Sequence, residues 1–310
     1  MKVRFAINAL GPTSWIPALL ILVTVAAPCA TVVDVLSSDA DPYKRSAAEV
    51  ARRLTDGKHT VRNVLLDRLT PADLESADCV VAIGSPAAAA LRQRQDLQVP
   101  LIYCMVTDSA AAGLLAPSIC SGVEARVPLA DQIGLIREAL PNVRRIGLLH
   151  LDDDSGRALA AALKGAVPRH WDVKAVRATP NHLAEQIADI TTDVDLVWTS
   201  VDGSLYTEAT VRSLLLNAMR RQVPVFGFSP SFVRAGALFG IGIDPVTQGA
   251  QAAELAETAL SRRAVGQAPE SVLVRPRFQI AVNLIVAEKI GIELPTTLIE
   301  RAEHVFRTGH

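Results

Sequence analysis

The sequence predicts an α/β protein with two doubly wound parallel-sheet lobes and a ligand cleft between them. The first observation is an internal repeat, in which residues 78–85 and 98–103 are echoed by residues 195–204 and 222–227. Each copy has an apolar strand ending near Gly-Ser, an amphipathic helix and a second apolar strand entered through proline, which is typical of a parallel βαβ unit. The second observation is the length of 310 residues, which exceeds what one hydrophobic core usually serves.

The first lobe is expected to begin with the strand Thr31–Leu36, followed by a helix whose small and apolar residues recur at positions 47, 50, 51 and 54. Further strands are expected at about 61–66, 77–83 and 99–105, and helices at about 70–76 and 86–94.

The second lobe is expected to begin with a helix at about 129–140, which Pro141 ends. Strands at about 145–150, 172–177, 194–199 and 223–228 follow, with a helix at about 208–221. The last eighty residues are expected to serve both lobes, with strands at 237–243 and about 271–275 and helices at about 246–262 and 281–291.

These elements predict three divisions of the chain. Residues 1–30 form a signal peptide. Residues 31–122 and about 237–265 form the first lobe, and residues 123–236 and about 266–310 form the second.

The first thirty residues have the pattern of a secretory signal. Lys2 and Arg4 precede the apolar run 15–27, and small residues follow it. Cleavage is expected near Cys29 or Ala30, so the mature protein is expected to be secreted. A retained N-terminal anchor and a lipid attached to Cys29 are less favoured alternatives, because the apolar run is short for a membrane span and a proline precedes the cysteine.

Charge and cysteine content exclude several classes of function. The chain has 31 basic and 32 acidic residues, so it lacks the positive surface that nucleic acid would require. Its cysteines have no metal-ligand spacing, and without Cys29 an odd number remains, so no disulfide framework is predicted. Cys79 and Cys104 are expected to be buried free thiols in apolar strands. Neither a metal ion nor a cofactor is expected.

Candidate ligand-binding residues lie where the predicted strands end, because ligands of open parallel α/β sheets bind beyond the carboxyl ends of the strands. The candidates are Ser37, Ser38, Gly84, Ser85, Thr107, Asp108, Thr199, Asp202, Phe228 and Ser229.

Ser85 and Asp202 occupy matching positions in the repeat. Ser85 is predicted to cap a helix that begins at Pro86, leaving backbone N–H groups free to bind a carboxylate. Asp202 would pair with a ligand ammonium from the other lobe. For both residues the alternative is an ordinary helix cap with no ligand. Stacking on a ring would have few candidates, since aromatic residues make up only 4% of the chain; they are Tyr43, Tyr103, Trp198, Tyr206 and Phe228.

An enzymatic function is not favoured. His150 with the aspartates at 152–154 offers an imidazole and carboxylates, and Ser200 or Ser229 offers a hydroxyl. However, the sequence has no nucleophile elbow, zinc-protease motif or phosphate-binding loop. The aspartates are interpreted as a polar loop and helix start, and no catalytic residue is predicted.

From about residue 78 to residue 305 the motifs occur in a familiar order, including VVAIGSPAAAA at 80–90, QVPVFG at 222–227 and VNLIVAEKIGIELP at 282–295. In this order the chain resembles the periplasmic substrate-binding proteins of ABC importers, in the family that includes tryptophan- and tyrosine-binding members. The resemblance implies a type I periplasmic-binding fold. Residues 37–43 and 66–71 depart from the polar signature usual in these relatives.

The resemblance implies a secreted, monomeric binding protein that closes on a small polar ligand, such as an amino acid or a related compound, and delivers it to an inner-membrane ABC permease. The alternative is a periplasmic sensor that signals to a receptor kinase or cyclase. A LacI-like regulator on the same fold is not favoured, because the N-terminus has an apolar segment in place of a basic helix-turn-helix.

Overall fold

The computed structural model describes residues 29–110, 112–114 and 120–307. The predicted signal peptide therefore lies outside the described residues, except for Cys29 and Ala30. None of the helices in the described part of the chain is both long and apolar enough to cross a membrane.

Thirteen strands are found in the described residues. They are β1 (Thr31–Leu36), β2 (Thr60–Leu65), β3 (Cys79–Ile83), β4 (Leu101–Val106), β5 (Cys120–Glu124), β6 (Arg145–Leu151), β7 (Asp172–Ala178), β8 (Leu196–Trp198), β9 (Val225–Gly227), β10 (Phe239–Gly242), β11 (Leu273–Val274), β12 (Gln279–Asn283) and β13 (His304–Phe306).

Eleven α-helices connect these strands within the described residues. They are α1 (Asp41–Asp56), α2 (Pro71–Glu75), α3 (Ser85–Arg92), α4 (Leu129–Ala139), α5 (Asp154–Ala166), α6 (Leu183–Ile190), α7 (Glu208–Arg220), α8 (Pro230–Ala235), α9 (Pro245–Ala264), α10 (Leu284–Ile290) and α11 (Thr296–Arg301).

Lobe 1 is built on a six-stranded parallel sheet with the order β11-β5-β4-β3-β1-β2. Both faces are covered, which explains why its central strands β3 and β4 are apolar throughout. Leu54 of α1 and Ala256 of α9 pack with Val32 on one face, whereas Leu91 of α3 packs with Val33 on the other. The alternation of neighbouring β1 residues between the two cores follows from the two-residue period of a strand.

Lobe 2 is built on a seven-stranded sheet with the order β13-β12-β10-β9-β8-β6-β7. Its described pairings are parallel except for β10 with β12, which is antiparallel. Helices α4, α5, α10 and α11 contribute to the core on one side, and helices α6, α7 and α8 to the core on the other. The predicted fold class, two doubly wound lobes, is confirmed, with one antiparallel pairing that the sequence pattern did not predict.

Three crossovers join the lobes, and we number them in chain order. Crossover 1 (residues 125–128) leads from β5 to α4, crossover 2 (residues 243–244) from β10 to α9, and crossover 3 (residues 275–278) from β11 to β12. Crossovers 1 and 2 leave the carboxyl ends of parallel strands. Crossover 3 enters β12 at Gln279, which pairs with Gly242 at the carboxyl end of β10. All three crossovers therefore lie at the carboxyl ends of the two sheets.

The last part of the chain differs from the expected division in two places. The strand expected for lobe 1 from about residue 237 is β10, which pairs with β9 and β12 of lobe 2. The strand expected for lobe 2 after about residue 266 is β11, which pairs with β5 of lobe 1. A helix was also expected over 281–291, where the chain forms β12 before α10 begins at Leu284. Pairing partners far away in sequence decide these assignments.

Candidate functional site

The candidate site lies at the carboxyl ends of the strands, next to the three crossovers. In lobe 1 it is formed by the residues that follow β1, β3 and β4, which are neighbours in the sheet. In lobe 2 it is formed by the residues that follow β8 and β9, which are also neighbours. All ten residues predicted from the sequence fall at these strand ends. They differ in exposure and in the hydrogen-bond partners that they already have.

Gly84 forms a sharp turn between β3 and α3. Its φ angle is +98°, a backbone conformation that favours glycine, and an added Cβ would lie 2.5 Å from the Ser37 hydroxyl. Ser37 is already engaged at this point. Its hydroxyl donates to the Ile83 carbonyl at 2.9 Å and accepts from the Ala87 N–H at 3.0 Å. Ser37 thus satisfies one of the N-terminal N–H groups of α3 from another strand.

The prediction that Ser85 caps α3 is wrong. Gly84 is the N-cap residue, Ser85 is the first helical residue, and the capping hydroxyl is supplied by Ser37. The half-buried Ser85 hydroxyl has no hydrogen-bond partner among the described residues. Tyr43 lies beside Gly84, since an added Cβ on that glycine would be 3.0 Å from the Tyr43 ring. Ser38 is exposed and accepts a hydrogen bond from the Ala40 N–H at 3.4 Å.

Thr107 and Asp108 form the loop after β4. Thr107 is exposed, and Asp108 pairs with Arg126 of crossover 1 at 3.3 Å. The next residue, Ser109, is buried and donates a hydrogen bond to the Glu124 carboxylate at 2.5 Å. This strand exit is therefore attached directly to the first crossover.

Thr199 is turned away from the site. Its side chain is completely buried, and its hydroxyl donates to the Phe226 carbonyl of the neighbouring strand at 2.7 Å. Thr199 therefore supports the end of β8 and is not exposed to a ligand.

Asp202 organises the loop that follows β8. One carboxylate oxygen, Oδ1, accepts hydrogen bonds from the N–H groups of Ser204 at 2.9 Å and Leu205 at 3.0 Å. The other oxygen has no hydrogen-bond partner among the described residues, and the residue is half-buried. The carboxylate thus has a structural role with one oxygen while the second is open to another partner.

Phe228 and Ser229 follow β9. Ser229 is the N-cap of α8 and accepts from the Phe232 N–H at 3.2 Å. Phe228 packs between the rings of Tyr206 and Phe232, with centroid distances of 5.7 and 4.9 Å. Tyr206 is buried, which raises the pKa of its hydroxyl, and that hydroxyl lies 3.4 Å from the Leu149 carbonyl. These contacts hold the half-buried Phe228 ring in place.

The structure separates the aromatic candidates into two groups. Tyr103, Trp198 and Tyr206 are buried core residues, whereas Tyr43 and Phe228 are half-buried at strand ends of lobe 1 and lobe 2. Tyr43 is on α1, five residues after Ser38. Its position beside Gly84 arises from packing between two strand exits, and sequence spacing carries no signal for it.

Two of the groups considered for catalysis make contacts within the fold. The His150 ring is buried, with Nδ1 2.8 Å from the Leu151 carbonyl, and Asp153 caps α5 by accepting from the Gly156 N–H at 2.7 Å. Within the described residues, no cluster of three or more histidine, cysteine, aspartate or glutamate side chains is arranged to hold a metal ion. Cys79 and Cys104 are buried free thiols, as predicted, and burial raises the pKa of Cys104 to about 12.

This architecture, with three crossovers at the carboxyl ends of two predominantly parallel sheets, is that of a type I periplasmic-binding protein. The family model for ABC transporter substrate binding proteins matches residues 65–306, and the chain belongs to that family.

Individual relatives agree with this assignment. A tyrosine-binding protein of Clostridioides difficile is 23% identical over 208 residues, a match that covers 64% of this chain and 59% of that protein's length. The ligand-free, open structure of a substrate binding protein with adhesive properties from Clostridium difficile has a TM-score of 0.73 at 19% identity. An ABC domain in complex with L-Trp from Streptococcus pneumonia has a TM-score of 0.65, also at 19% identity. Both structural matches cover 90% of this chain and 100% of the other.

Proposed function

We propose that this protein captures a small zwitterionic ligand, an amino acid or a close relative, and presents it to an inner-membrane ABC permease. Capture occurs by closure of the two lobes at their crossovers. A ligand favours the closed state only through contacts that are stronger there than in the open state, so groups on both lobes must take part.

The observation that carries this proposal is a pair of oxygen atoms, one at each of two matching strand exits, that have no hydrogen-bond partner among the described residues. Ser85 on lobe 1 has a hydroxyl without a partner among the described residues, next to the N-terminal turn of α3. Asp202 on lobe 2 has one free carboxylate oxygen. A carboxylate suits the first location, because helix N-termini and hydroxyl donors favour anions, and an ammonium suits the second.

An aromatic or planar side chain is the favoured third feature of the ligand. Tyr43 and Phe228 present half-buried rings at the strand exits of lobes 1 and 2. Such rings stack on planar groups with centroids about 4.5–7 Å apart, which adds affinity beyond simple burial. The tyrosine and tryptophan named for two relatives support the same ligand class.

The test is isothermal titration calorimetry of the chain from Cys29 to His310, first with the twenty amino acids and then with variants against the tightest ligand. Asp202→Asn should weaken binding by about 30-fold or more, since removing one partner of a buried charge pair costs roughly 2–5 kcal/mol. Ser85→Ala should cost only about 0.5–1.5 kcal/mol, the value of one hydroxyl hydrogen bond.

The matched control is Asp195→Asn. Asp195 also accepts two backbone hydrogen bonds with one carboxylate oxygen, from Arg144 and Arg145 at 2.7 Å each, but it lies at the amino end of the lobe 2 sheet. Both asparagine variants keep an oxygen for these bonds, so both should fold. Equal affinity in Asp202→Asn and the unaltered protein would contradict the role given to Asp202. Chemical conversion of the ligand during the titration would contradict a binding function.

A further inference from the structure

Through its first two turns, helix α9 contacts crossover 3 and the end of β5 that leads into crossover 1. Crossover 2 runs directly into the helix, and Asp244 caps it by accepting from the Thr247 N–H at 3.0 Å. Two glutamines, Gln248 and Gln251, lie three positions apart and therefore on one face of the helix. We call this pair the glutamine clamp, because each member holds the backbone of another crossover or of the strand beside it.

Gln248 joins strand β4 to crossover 1. Its Oε1 accepts from the Met105 N–H at 3.0 Å, and its Nε2 donates at 3.2 Å to the carbonyl of Glu124, where crossover 1 begins. Gln251 holds crossover 3 in the same way. Its Nε2 donates to the Arg275 carbonyl, and its Oε1 accepts from the Arg277 N–H, both at 2.9 Å.

Burial makes these contacts specific. The exposed fractions of Gln248 and Gln251 are 0% and 3%, so neither amide has water as an alternative partner. Leaving such a group unpaired costs more than the bond itself contributes. Glutamine is usually an exposed residue. Two buried glutamines a single helical turn apart therefore indicate that the fold uses both side-chain amides at this position.

The clamp is fixed to lobe 1. Gly249, between the two glutamines, allows α9 to approach α1 so closely that an added Cβ would lie 2.3 Å from the Ser46 carbonyl. Crossover 3 is also tied to lobe 2, because Arg275 at its start forms an ion pair with Asp131 of α4. The glutamines therefore hold Glu124, next to crossover 1, and residues 275 and 277 of crossover 3 against lobe 1.

The clamp also contacts the strand that leads into the candidate ligand loop. Met105, whose N–H binds Gln248, has a φ angle of +57° at an irregularity in β4, two residues before Thr107. Ser109, two residues after Thr107, hydrogen-bonds Glu124. Residues on both sides of Thr107 are thus linked to Glu124, next to crossover 1: Met105 through Gln248, and Ser109 directly.

We propose that the glutamine clamp sets the balance between the open and closed states, and that Gln248 couples the ligand loop after β4 to crossover 1. This inference rests on the proposed function, in which closure captures the ligand. Its test uses the ligand-free protein, so a failure to find a ligand leaves the result interpretable.

The experiment measures the distance between the lobes by double electron–electron resonance. Spin labels are placed at Ala90→Cys on α3 and Leu216→Cys on α7, both exposed, in a Cys29→Ser background; the other native cysteines are buried. Gln248→Met and Gln251→Met keep the side-chain length and remove the hydrogen bonds. Each should shift the ratio of interlobe conformations by about tenfold, the change expected from losing one or two buried hydrogen bonds.

Leu260→Ala is the control, because Leu260 is a buried core residue of the same helix far from the crossovers. It should lower stability without altering the distance distribution. If Gln248→Met fails to fold, Gln248→Asn is measured in its place. Asparagine keeps the amide group, but its side chain is one methylene shorter. Distributions that match the unaltered protein in the glutamine variants, or an equal change in Leu260→Ala, would overturn the proposal.

Discussion

Asp34 is a carboxyl group without a partner in the middle of a buried strand. It is completely buried on β1, and neither of its oxygens has a hydrogen bond. Burial raises the pKa of Asp34 well above its usual range. The residue alternates with Val33 and Val35, so it points with Val32 and Leu36 toward the layer formed by α1 and α9. An unsatisfied polar group at such a site destabilises the folded state.

Replacing this carboxyl group should stabilise the protein. Asp34→Val removes an unpaired buried polar group, which costs about 1–3 kcal/mol, and places a residue suited to a strand there. The folded-state pKa is above the unfolded value of about 3.9, so the folded state keeps a proton that the unfolded state loses. The free energy of unfolding of the unaltered protein should therefore fall as pH rises above about 4, and the advantage of the variant should grow.

Urea denaturation at a series of pH values measures this effect. Asp34→Asn is the control that separates charge from polarity, because it abolishes the titration and leaves an unsatisfied amide. It should flatten the pH dependence without the full gain of the valine variant. A valine variant that is less stable than the unaltered protein at neutral pH would show that Asp34 has a favourable role in the core.

At the scale of elements, the first strand of lobe 1 depends on a residue that precedes it. Ala30 is buried, its N–H donates to Nδ1 of His59 at 3.2 Å, and its carbonyl accepts from the Thr60 N–H at 2.9 Å. The His59 ring is held in turn by Glu257 of α9, at 3.2 Å from Nε2. Ala30 is therefore part of the folded lobe, although the expected signal peptide extended to it.

A chain that begins at Thr31 should be less stable than one that begins at Ala30. It loses two hydrogen bonds, each with a net value of about 0.5–1.5 kcal/mol, and exposes the end of β1. Chemical denaturation of the two chains measures the difference. A chain that begins at Cys29 is the control and should match the one from Ala30, since Cys29 is exposed. Equal stability of all three chains would contradict a structural role for Ala30.

At the scale of the whole molecule, the two lobes have separate cores. The lobe 1 cores contain Leu54 and Leu91, whereas the lobe 2 cores contain Trp171 and Trp198, and none of the buried residues that the structure describes belongs to both. The covalent connection between them is three short crossovers. Stability is therefore expected to be distributed between two units.

Leu54→Ala should destabilise lobe 1 alone. Truncation of a buried leucine costs about 2–5 kcal/mol, and Leu54 is fully buried in the core between β1, α1 and α9. In a chain from Cys29, circular dichroism follows both lobes, while fluorescence follows only Trp171 and Trp198 of lobe 2. The circular-dichroism midpoint should move to lower denaturant and the fluorescence midpoint should stay. Coincident shifts of both signals would indicate one cooperative unit.

Much of the fold could be predicted from local patterns. The repeat of strand, Gly-Ser, helix and proline-led strand correctly predicted βαβ units in both lobes, because each pattern reports the burial of neighbouring residues. The same rule placed Ser85, Asp202 and Phe228 at the carboxyl ends of strands. Local patterns did not predict that Ser37 would cap α3, since this contact joins two strand exits fifty residues apart.

The sequence by itself determined the fold class, the family and the set of strand ends where a ligand site would form, because apolar periodicity and turn residues act over a few positions. Only the tertiary structure decided that β10 belongs to lobe 2 and that α9 packs on lobe 1, where Gln251 holds crossover 3 and Gln248 holds the ends of β4 and β5. It also decided that no described residue hydrogen-bonds the Ser85 hydroxyl. These outcomes depend on which segments, distant in sequence, pack against one another, and the spacing of residues along the chain does not predict such contacts.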